Sequence, residues 1–540
     1  MRALSETTRT LLKDLWSLAY GGSAELDRPR RVEDLLKSIG ASGEPAAVPG
    51  IYELLFQESY WLAQAAGNAT NQLVACCTAI EIAQLDKIIR GTAGWRTYGS
   101  TSLPLSQVSV GAAGMLSCNG NGYVREAAVR YLAHQFIGME LPFLLLRIND
   151  WVPEVRSVAI AAVRSRIVAE YSRQFVRCLP LLESLERQSR RDGDEVFQSI
   201  RKILAAPDCF PFLREAILGS DRQVRRAAMS IVMDAPPCNT STQIMEDALG
   251  SADGTVRLMA LRGLCRGLGE AKLCGILETA LRDKLPPVRA LALTEIAERF
   301  PNVATPHLTA GILDRHTSIR SIARFYLRRC GVEEFAPVYR RELGRELGQQ
   351  QGSALAFVIA GLGETGDKED SQRVAGYLSH PTPSVRRAAI IALGRLDAAG
   401  FQIAFFEALL DRSPSVAKTA RSVIVARRIV LSAEQIRVHL QLAEHEHSRQ
   451  ILLSLSAKLS WWDSAPLLIT FAASTKPALR RIALKLLKWW RGDTHRLSSP
   501  LTLQQLRLLE TEFKRHGSSL DEETFRDVAG VIGFAETNLL

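Results

Sequence analysis

An arginine with a fixed apolar context recurs along this chain. It directly follows an apolar residue, an alanine stands three positions after it, and the pattern returns about every 31 residues. The eight copies are Arg125, Arg156, Arg225, Arg257, Arg289, Arg320, Arg386 and Arg480. A guanidinium presents five N–H donors in a planar fork that fits carboxylates, phosphates and carbonyl oxygens. The chemistry that this pattern offers is therefore binding of oxygen atoms, either inside the fold or on a partner.

The segments that carry the pattern are strongly basic. In nine segments, one of which has Ala417 in place of the arginine, 28 Lys or Arg residues stand against three acidic residues. The whole chain is closer to balance, with 67 basic and 57 acidic residues and a net charge of +10. We expect a partner-binding groove formed by the further basic residues and two tryptophans of these segments: Arg226, Arg262, Arg324, Arg328, Arg387, Arg421, Arg427, Arg481, Lys485, Lys488, Trp489 and Trp490.

Two roles compete for these cations. The eight repeated arginines are predicted to form a structural ladder, each bonding a turn aspartate or a helix-end carbonyl of a neighbouring unit. The others are either solvated helix surface or a positive surface that attracts polyanions. Tryptophan beside lysine is typical of single-stranded nucleic-acid sites, and tryptophan beside arginine is equally typical of protein interfaces. An acidic protein and a nucleic acid both remain open as partners.

Motifs for catalysis are missing from the sequence. There is no phosphate-binding glycine loop, no dinucleotide fingerprint, no nucleophile elbow and no zinc-protease motif. The cluster His445-Glu446-His447, with His439 nearby, lacks a third metal ligand at suitable spacing, and we expect solvated surface there. We therefore predict no catalytic residue, no cofactor and no metal site.

The elements that position the arginines are predicted to be paired helices. Residues 401–410 and 416–428 both show helical apolar spacing and are joined by the turn DRSPS. Prolines such as Pro383 and Pro414 stand in the turn or at the first helical position, where a missing N–H is harmless. Serines just before the apolar anchors are predicted N-caps: Ser318, Ser384 and Ser415. Such pairs cannot bury a core alone and must stack.

Several segments resemble HEAT repeats of the short kind found in phycobilisome-lyase-like HEAT proteins. They are DWVPEVRSVAIAAV, SDRQVRRAAMSIV, HPTPSVRRAAIIALGRL and DRSPSVAKTARSV, and the resemblance covers residues 120–491 approximately. It implies an all-α, right-handed α-solenoid of about twelve helix pairs, whose second helices line the concave side. The basic layer would then form an inner groove. HEAT-type DNA glycosylases and bilin lyases exist, but none of their catalytic residues can be matched to this sequence.

The predicted organisation has three parts. Residues 1–120 form an N-terminal helical cap, residues 121–491 the repeat array, and residues 492–540 a C-terminal helical cap. The stretch 91–121 is rich in Gly, Ser and Thr, and we predict an irregular loop that is either functional or mobile.

Our functional hypothesis is a non-enzymatic scaffold that binds a protein partner with an acidic surface, or an acidic peptide, in the basic groove. The alternative is a nucleic-acid-binding solenoid, and the weaker alternative is a repeat-fold enzyme such as a lyase or glycosylase. No run of apolar residues is long enough for a membrane span. The nine cysteines follow no disulfide or metal spacing. We expect a cytoplasmic protein of bacterial origin, without membrane contact.

Overall fold

The architecture is helical. The computed structural model describes residues 3–20, 27–92, 107–188, 191–345, 352–489 and 501–539, and no strand occurs within these ranges. None of the helices in them combines the length and the apolar character that crossing a bilayer requires. The chain divides into two compact units, Met1–Leu291 and Ala292–Leu540, and the boundary falls inside one helix. The predicted all-α class is confirmed.

The first unit begins with six helices that precede the repeated segments and continues with paired helices. The initial helices are α1 (Glu6–Tyr20), α2 (Arg28–Ala41), α3 (Val48–Ile51), α4 (Tyr60–Ala75), α5 (Ala79–Thr92) and α6 (Val110–Leu116). The following helices are α7 (Gly122–Ala133), α8 (Leu141–Arg147), α9 (Pro153–Arg164), α10 (Ser172–Arg177), α11 (Leu179–Glu186), α12 (Arg191–Leu204), α13 (Phe210–Leu218), α14 (Arg222–Asp234), α15 (Asn239–Ala248), α16 (Gly254–Gly267), α17 (Glu270–Ala280) and α18 (Pro286–Arg299), which contains the boundary.

The second unit continues the helix pairs and ends with two further helices. Its elements are α19 (Pro301–Gly311), α20 (Thr317–Arg329), α21 (Ala336–Arg345), α22 (Gly352–Thr365), α23 (Asp370–Ala375), α24 (Pro383–Leu396), α25 (Gln402–Ala408), α26 (Pro414–Ala426), α27 (Ala433–Leu442), α28 (Glu446–Ser456), α29 (Trp461–Ala472), α30 (Pro477–Trp489), α31 (Leu503–His516) and α32 (Glu522–Leu539). The even-numbered helices from α20 to α30 are the second helices of their pairs.

Stacking buries the repeated alanines. Neighbouring second helices of the second unit pack on one another, from α22 through α24, α26 and α28 to α30. All nine alanines of the repeated pattern are fully buried: Ala128, Ala159, Ala228, Ala260, Ala292, Ala323, Ala389, Ala420 and Ala483. A layer of helix pairs that each pack on the next is the organisation of an α-solenoid. The handedness, the number of repeats and the three-part division of the chain stay predictions.

The predicted serine N-caps are wrong by two residues. Helices α20, α24 and α26 begin before those serines, which therefore occupy the second helical position: Ser318, Ser384 and Ser415. The N-caps are His316, Thr382 and Ser413. In α24 and α26 a proline stands at the first helical position, where its fixed φ suits the helix, so the residue before the proline becomes the cap.

The prediction of an irregular loop over residues 91–121 is also partly wrong. Helix α6 lies inside it, and all seven of its residues are buried. Its glycines permit close approach, because a Cβ on Gly114 would lie 2.3 Å from Phe143 Cε2. The composition that indicated a loop is here the composition of a tightly packed helix. Residues 93–106 of the same stretch lie outside the described residues.

Candidate functional site

The repeated arginines close the turns of their own helix pairs. In seven copies the guanidinium reaches back to the carbonyl oxygen six residues earlier, where the preceding helix or its turn ends. The acceptors are the carbonyls of Asn119, Asp150, Gly219, Ser251, Asp283, Asp314 and His380. The eighth, Arg480, donates to the carbonyl oxygen of Ser519 at 3.3 Å.

Four of these arginines also bind a carboxylate of a later helix pair. Bidentate contacts join Arg125 to Asp150, Arg257 to Asp283 and Arg386 to Asp411, with N–O distances between 2.7 and 3.0 Å. Each aspartate in turn accepts a backbone N–H two residues later. Such an arginine is occupied on both sides and has little left to offer a partner.

The fourth carboxylate is Glu364, near the end of α22. It accepts hydrogen bonds from Arg320 and Thr317, and it lies 2.9 Å from Arg324 Nη2. Burial alone would raise the pKa of Glu364, but the hydrogen bonds from Arg320, Thr317 and Arg324 outweigh burial and lower it. No signal in the sequence indicated this role of Glu364, because α22 lacks the repeated pattern that marks the other pairs.

Several predicted groove residues already have partners within the fold. Arg324 is buried and bonds Glu364 and Tyr339. Arg226 makes a bidentate pair with Asp253, at 2.7 and 2.9 Å, which lowers the pKa of Asp253. Lys488 lies 3.2 Å from a carboxylate oxygen of Asp521. The sequence count of cations overstated the available charge, because these carboxylates stand outside the basic segments.

Other predicted groove residues remain exposed. In the second unit, Arg387, Arg421, Arg427, Arg481 and Lys485 are exposed and have no ion pair with any described residue. Arg262 has the same status in the first unit. Arg328 is exposed too, and its guanidinium carbon lies 5.2 Å from the centre of the Phe335 ring. Exposed cations without a carboxylate are the ones that can bind a partner.

The second unit contains a further tryptophan pair besides the predicted Trp489 and Trp490. Trp461 and Trp462 are buried, with 3% and 5% of their surfaces exposed, and their rings pack edge to face. Their indole faces therefore belong to the core of the second unit. The side chain of Trp489 and the whole of Trp490 lie outside the described residues.

A cavity of about 590 Å³ opens between α24 and α26. Four cations line it, namely Arg387 and Arg395 from α24, Lys418 from α26 and Arg427, which directly follows α26. The remaining lining residues are small, apolar or hydroxyl-bearing: Ile391, Gly394, Ser415, Thr419, Ser422, Val423 and Ala426. Carboxylates are absent from this lining, and Arg387, Lys418 and Arg427 have no ion pair with a described residue. Arg395 is paired with Glu364 of α22, with its Nη1 at 3.5 Å from the carboxylate.

Helices α24 and α26 run in the same direction along this cavity. Near their N-terminal ends, Arg387 Nε donates to Thr419 Oγ1 at 3.2 Å. Farther along both helices, a Cβ on Gly394 would lie 2.6 Å from Val423 Cγ1. The absence of a side chain at Gly394 allows this close approach.

Sequence reasoning missed two of the four cations, Arg395 and Lys418. Lys418 stands two residues after the anchor Val416, as Arg387 stands two after Val385, so the repeat itself carried the signal. The histidine cluster shows no metal-binding arrangement: His447 Nε2 lies 2.9 Å from the carbonyl oxygen of Asp411, and the described residues contain no group of three or more candidate ligands.

No family model and no curated protein matches this chain. A structure of Kap95p with RanGDP is similar to it, with 12% identity, 98% of this chain and 67% of that chain covered, and a TM-score of 0.33. Importin beta crystallised with ammonium sulfate is 14% identical, with 98% of this chain and 75% of that chain covered and a TM-score of 0.33. Importin beta crystallised with polyethylene glycol is 12% identical, with 98% of this chain and 84% of that chain covered and a TM-score of 0.28. The fold assignment rests on this chain's own stacked helices.

Proposed function

We propose that this protein is a non-enzymatic scaffold of HEAT-like helix pairs that holds an acidic protein partner on the second helices of its second unit. The observation that carries the proposal is the set of exposed cations without carboxylate partners among the described residues, Arg387, Lys418, Arg421, Arg427, Arg481 and Lys485. Unpaired cations on one helix layer attract an acidic surface and orient it during association.

A protein partner is favoured over a nucleic acid by the character of the cavity between α24 and α26. Its floor contains Ile391, Val423 and Ala426, which suit an apolar side chain and offer nothing to a phosphodiester backbone. Single-strand binding uses exposed aromatic faces, and no aromatic residue lines this cavity. Nucleic-acid binding stays the alternative, and a lyase or glycosylase activity has no catalytic arrangement in its favour.

The test compares two probes on two proteins. Fluorescent poly-glutamate and a single-stranded oligonucleotide of equal charge are titrated into the wild-type chain and into a variant with Arg387, Arg421, Arg481 and Lys485 all changed to Glu. The proposal expects tighter binding of poly-glutamate by the wild type, and loss of that binding in the variant. Circular dichroism shows whether the variant stays folded, as expected for exposed side chains. Equal poly-glutamate binding by both folded proteins would exclude this surface, and tighter oligonucleotide binding would favour the alternative.

A further inference from the structure

We infer that the cavity between α24 and α26 is a subsite for an extended peptide segment of the pattern acidic-x-apolar-x-acidic. The inference rests on the proposed function and narrows it, because it specifies which part of an acidic partner is read and in which conformation. Its evidence is the placement of the four cations around an apolar floor.

The cations form two pairs at opposite ends of the cavity. Arg387 and Lys418 are each the fifth residue of their parallel helices, and Arg387 joins the two helices at this end through its hydrogen bond to Thr419. Arg395 and Arg427 lie near the other ends of the same helices. The N-terminal ends of both helices add partial positive charge beside Arg387 and Lys418.

The separation of the pairs follows from helix geometry. Arg387 and Arg395 are eight residues apart in one helix, which corresponds to about 12 Å along its axis. An extended chain advances about 3.3 Å per residue, so residues i and i+4 lie about 13 Å apart and point to the same side. In a helical ligand the same distance would span about eight residues. Two acidic side chains four residues apart in an extended segment therefore match the two ends.

The apolar residues between the two ends of the cavity determine which side chain the peptide needs at its central position. Side chains i and i+2 of an extended segment face the same side, so residue i+2 points between the two acidic residues. There it meets Ile391 and Val423, next to the place where Gly394 brings the helices together. An apolar side chain at this position removes apolar surface from water. The hydroxyl groups of Thr419 and Ser422 donate to carbonyl oxygens of their own helix, at 2.8 and 2.9 Å, so toward a peptide backbone they act as acceptors.

The experiment uses the full chain and short labelled peptides followed by fluorescence anisotropy. The probe has the core Glu-Ser-Leu-Ser-Glu between glycines, and a rearranged peptide, Glu-Glu-Leu-Ser-Ser, keeps the composition but places the acids side by side. A third peptide replaces the leucine by serine. We expect the probe to bind at least about tenfold more tightly than either control, as the loss of a charge-assisted hydrogen bond or of a buried leucine predicts.

Protein variants test each end of the cavity separately. Lys418→Gln and Arg427→Gln should each weaken binding of the probe by about tenfold, since each removes one charge-assisted contact. Arg507→Gln is the control, because Arg507 is an exposed arginine of α31 that neither lines the cavity nor belongs to the cation set of the proposed function. It should change the affinity less than about twofold, since it leaves the cavity contacts intact.

The outcomes separate this inference from the proposed function. Equal binding of the probe and the rearranged peptide, or unchanged binding by both folded cavity variants, would overturn the subsite. If poly-glutamate binding were still lost in the quadruple Glu variant, the general basic surface would stand without the subsite. If no acidic peptide bound the wild type at all, both the peptide subsite and the proposed function would be contradicted. Tighter binding of an oligonucleotide at these residues would also overturn the peptide subsite.

Discussion

At the scale of single residues, a repeated arginine closes the turn of its own helix pair, and four of the eight copies also bind a carboxylate of a later pair. It donates to the carbonyl six residues earlier and, in the copies with a suitable partner, to an aspartate 25 or 26 residues later. The sequence could predict these contacts because both residues recur at fixed spacing. It could not predict Glu364, which lies 44 residues after Arg320 in a pair without the pattern.

Replacing Arg386 by alanine should destabilise the protein by about 3 kcal/mol, because it breaks a largely buried ion pair and leaves Asp411 without its partner. Urea unfolding of the variant measures the change. Arg421→Ala removes an exposed arginine and should stay within about 0.5 kcal/mol of the wild type. If Arg386→Ala unfolds at the same urea concentration as the parent, the ladder has no stabilising role.

Acid should weaken the buried cluster around Glu364. Its pKa in the folded protein is below the ordinary value of 4.5, so the unfolded chain takes up the proton more readily. The stabilisation is therefore fully present above the ordinary pKa and is lost as the pH falls through the folded pKa. We expect Glu364→Gln to be less stable at neutral pH but to lose less stability on acidification.

Urea midpoints over a series of acidic pH values check this expectation. Both proteins retain other carboxylates with lowered pKa values, namely Asp150, Asp283 and Asp411. The stabilisation from these three groups falls with pH in the wild type and in the variant alike. The difference between the two curves therefore isolates Glu364. Parallel curves would mean that the protonation of Glu364 is not linked to folding.

At the scale of elements, small residues set how closely the second helices approach. A Cβ on Gly363 of α22 would lie 2.6 Å from Ala392 Cα in α24. The sequence predicted the helix pairs because apolar spacing and turn prolines agree. It misplaced the N-caps because the prolines begin the helices earlier, and it took α6 for a loop because glycine-rich packing has the composition of a loop.

Gly363→Ala should therefore destabilise the protein by about 1–3 kcal/mol, since the backbone of α24 must move to admit the methyl group. Gly275 provides the control, because it lies inside α17 with open space around its Cβ position. Gly275→Ala should stabilise by about 0.5–1 kcal/mol through helix propensity. Thermal unfolding gives the melting temperatures of the Gly363→Ala and Gly275→Ala variants. Equal melting temperatures would contradict the packing of α22 on α24.

At the scale of the whole molecule, the distribution of charge matters more than the net charge of +10. The sequence showed an excess of cations on the second helices but could not tell which were neutralised. That depends on carboxylates such as Asp253 and Asp521, which the fold brings to Arg226 and Lys488. The candidate site is formed by the cations that find no such partner, among them Lys418 and Arg427.

The central claim is that these remaining cations bind an acidic polypeptide. The most direct measurement is the affinity for poly-glutamate of the wild type and of the folded variant with Arg387, Arg421, Arg481 and Lys485 changed to Glu, each over a range of salt concentrations. We predict that the wild type binds, that its affinity falls as salt rises because exposed charges are screened, and that the variant does not bind. Salt-independent binding that is the same in both proteins would contradict the account.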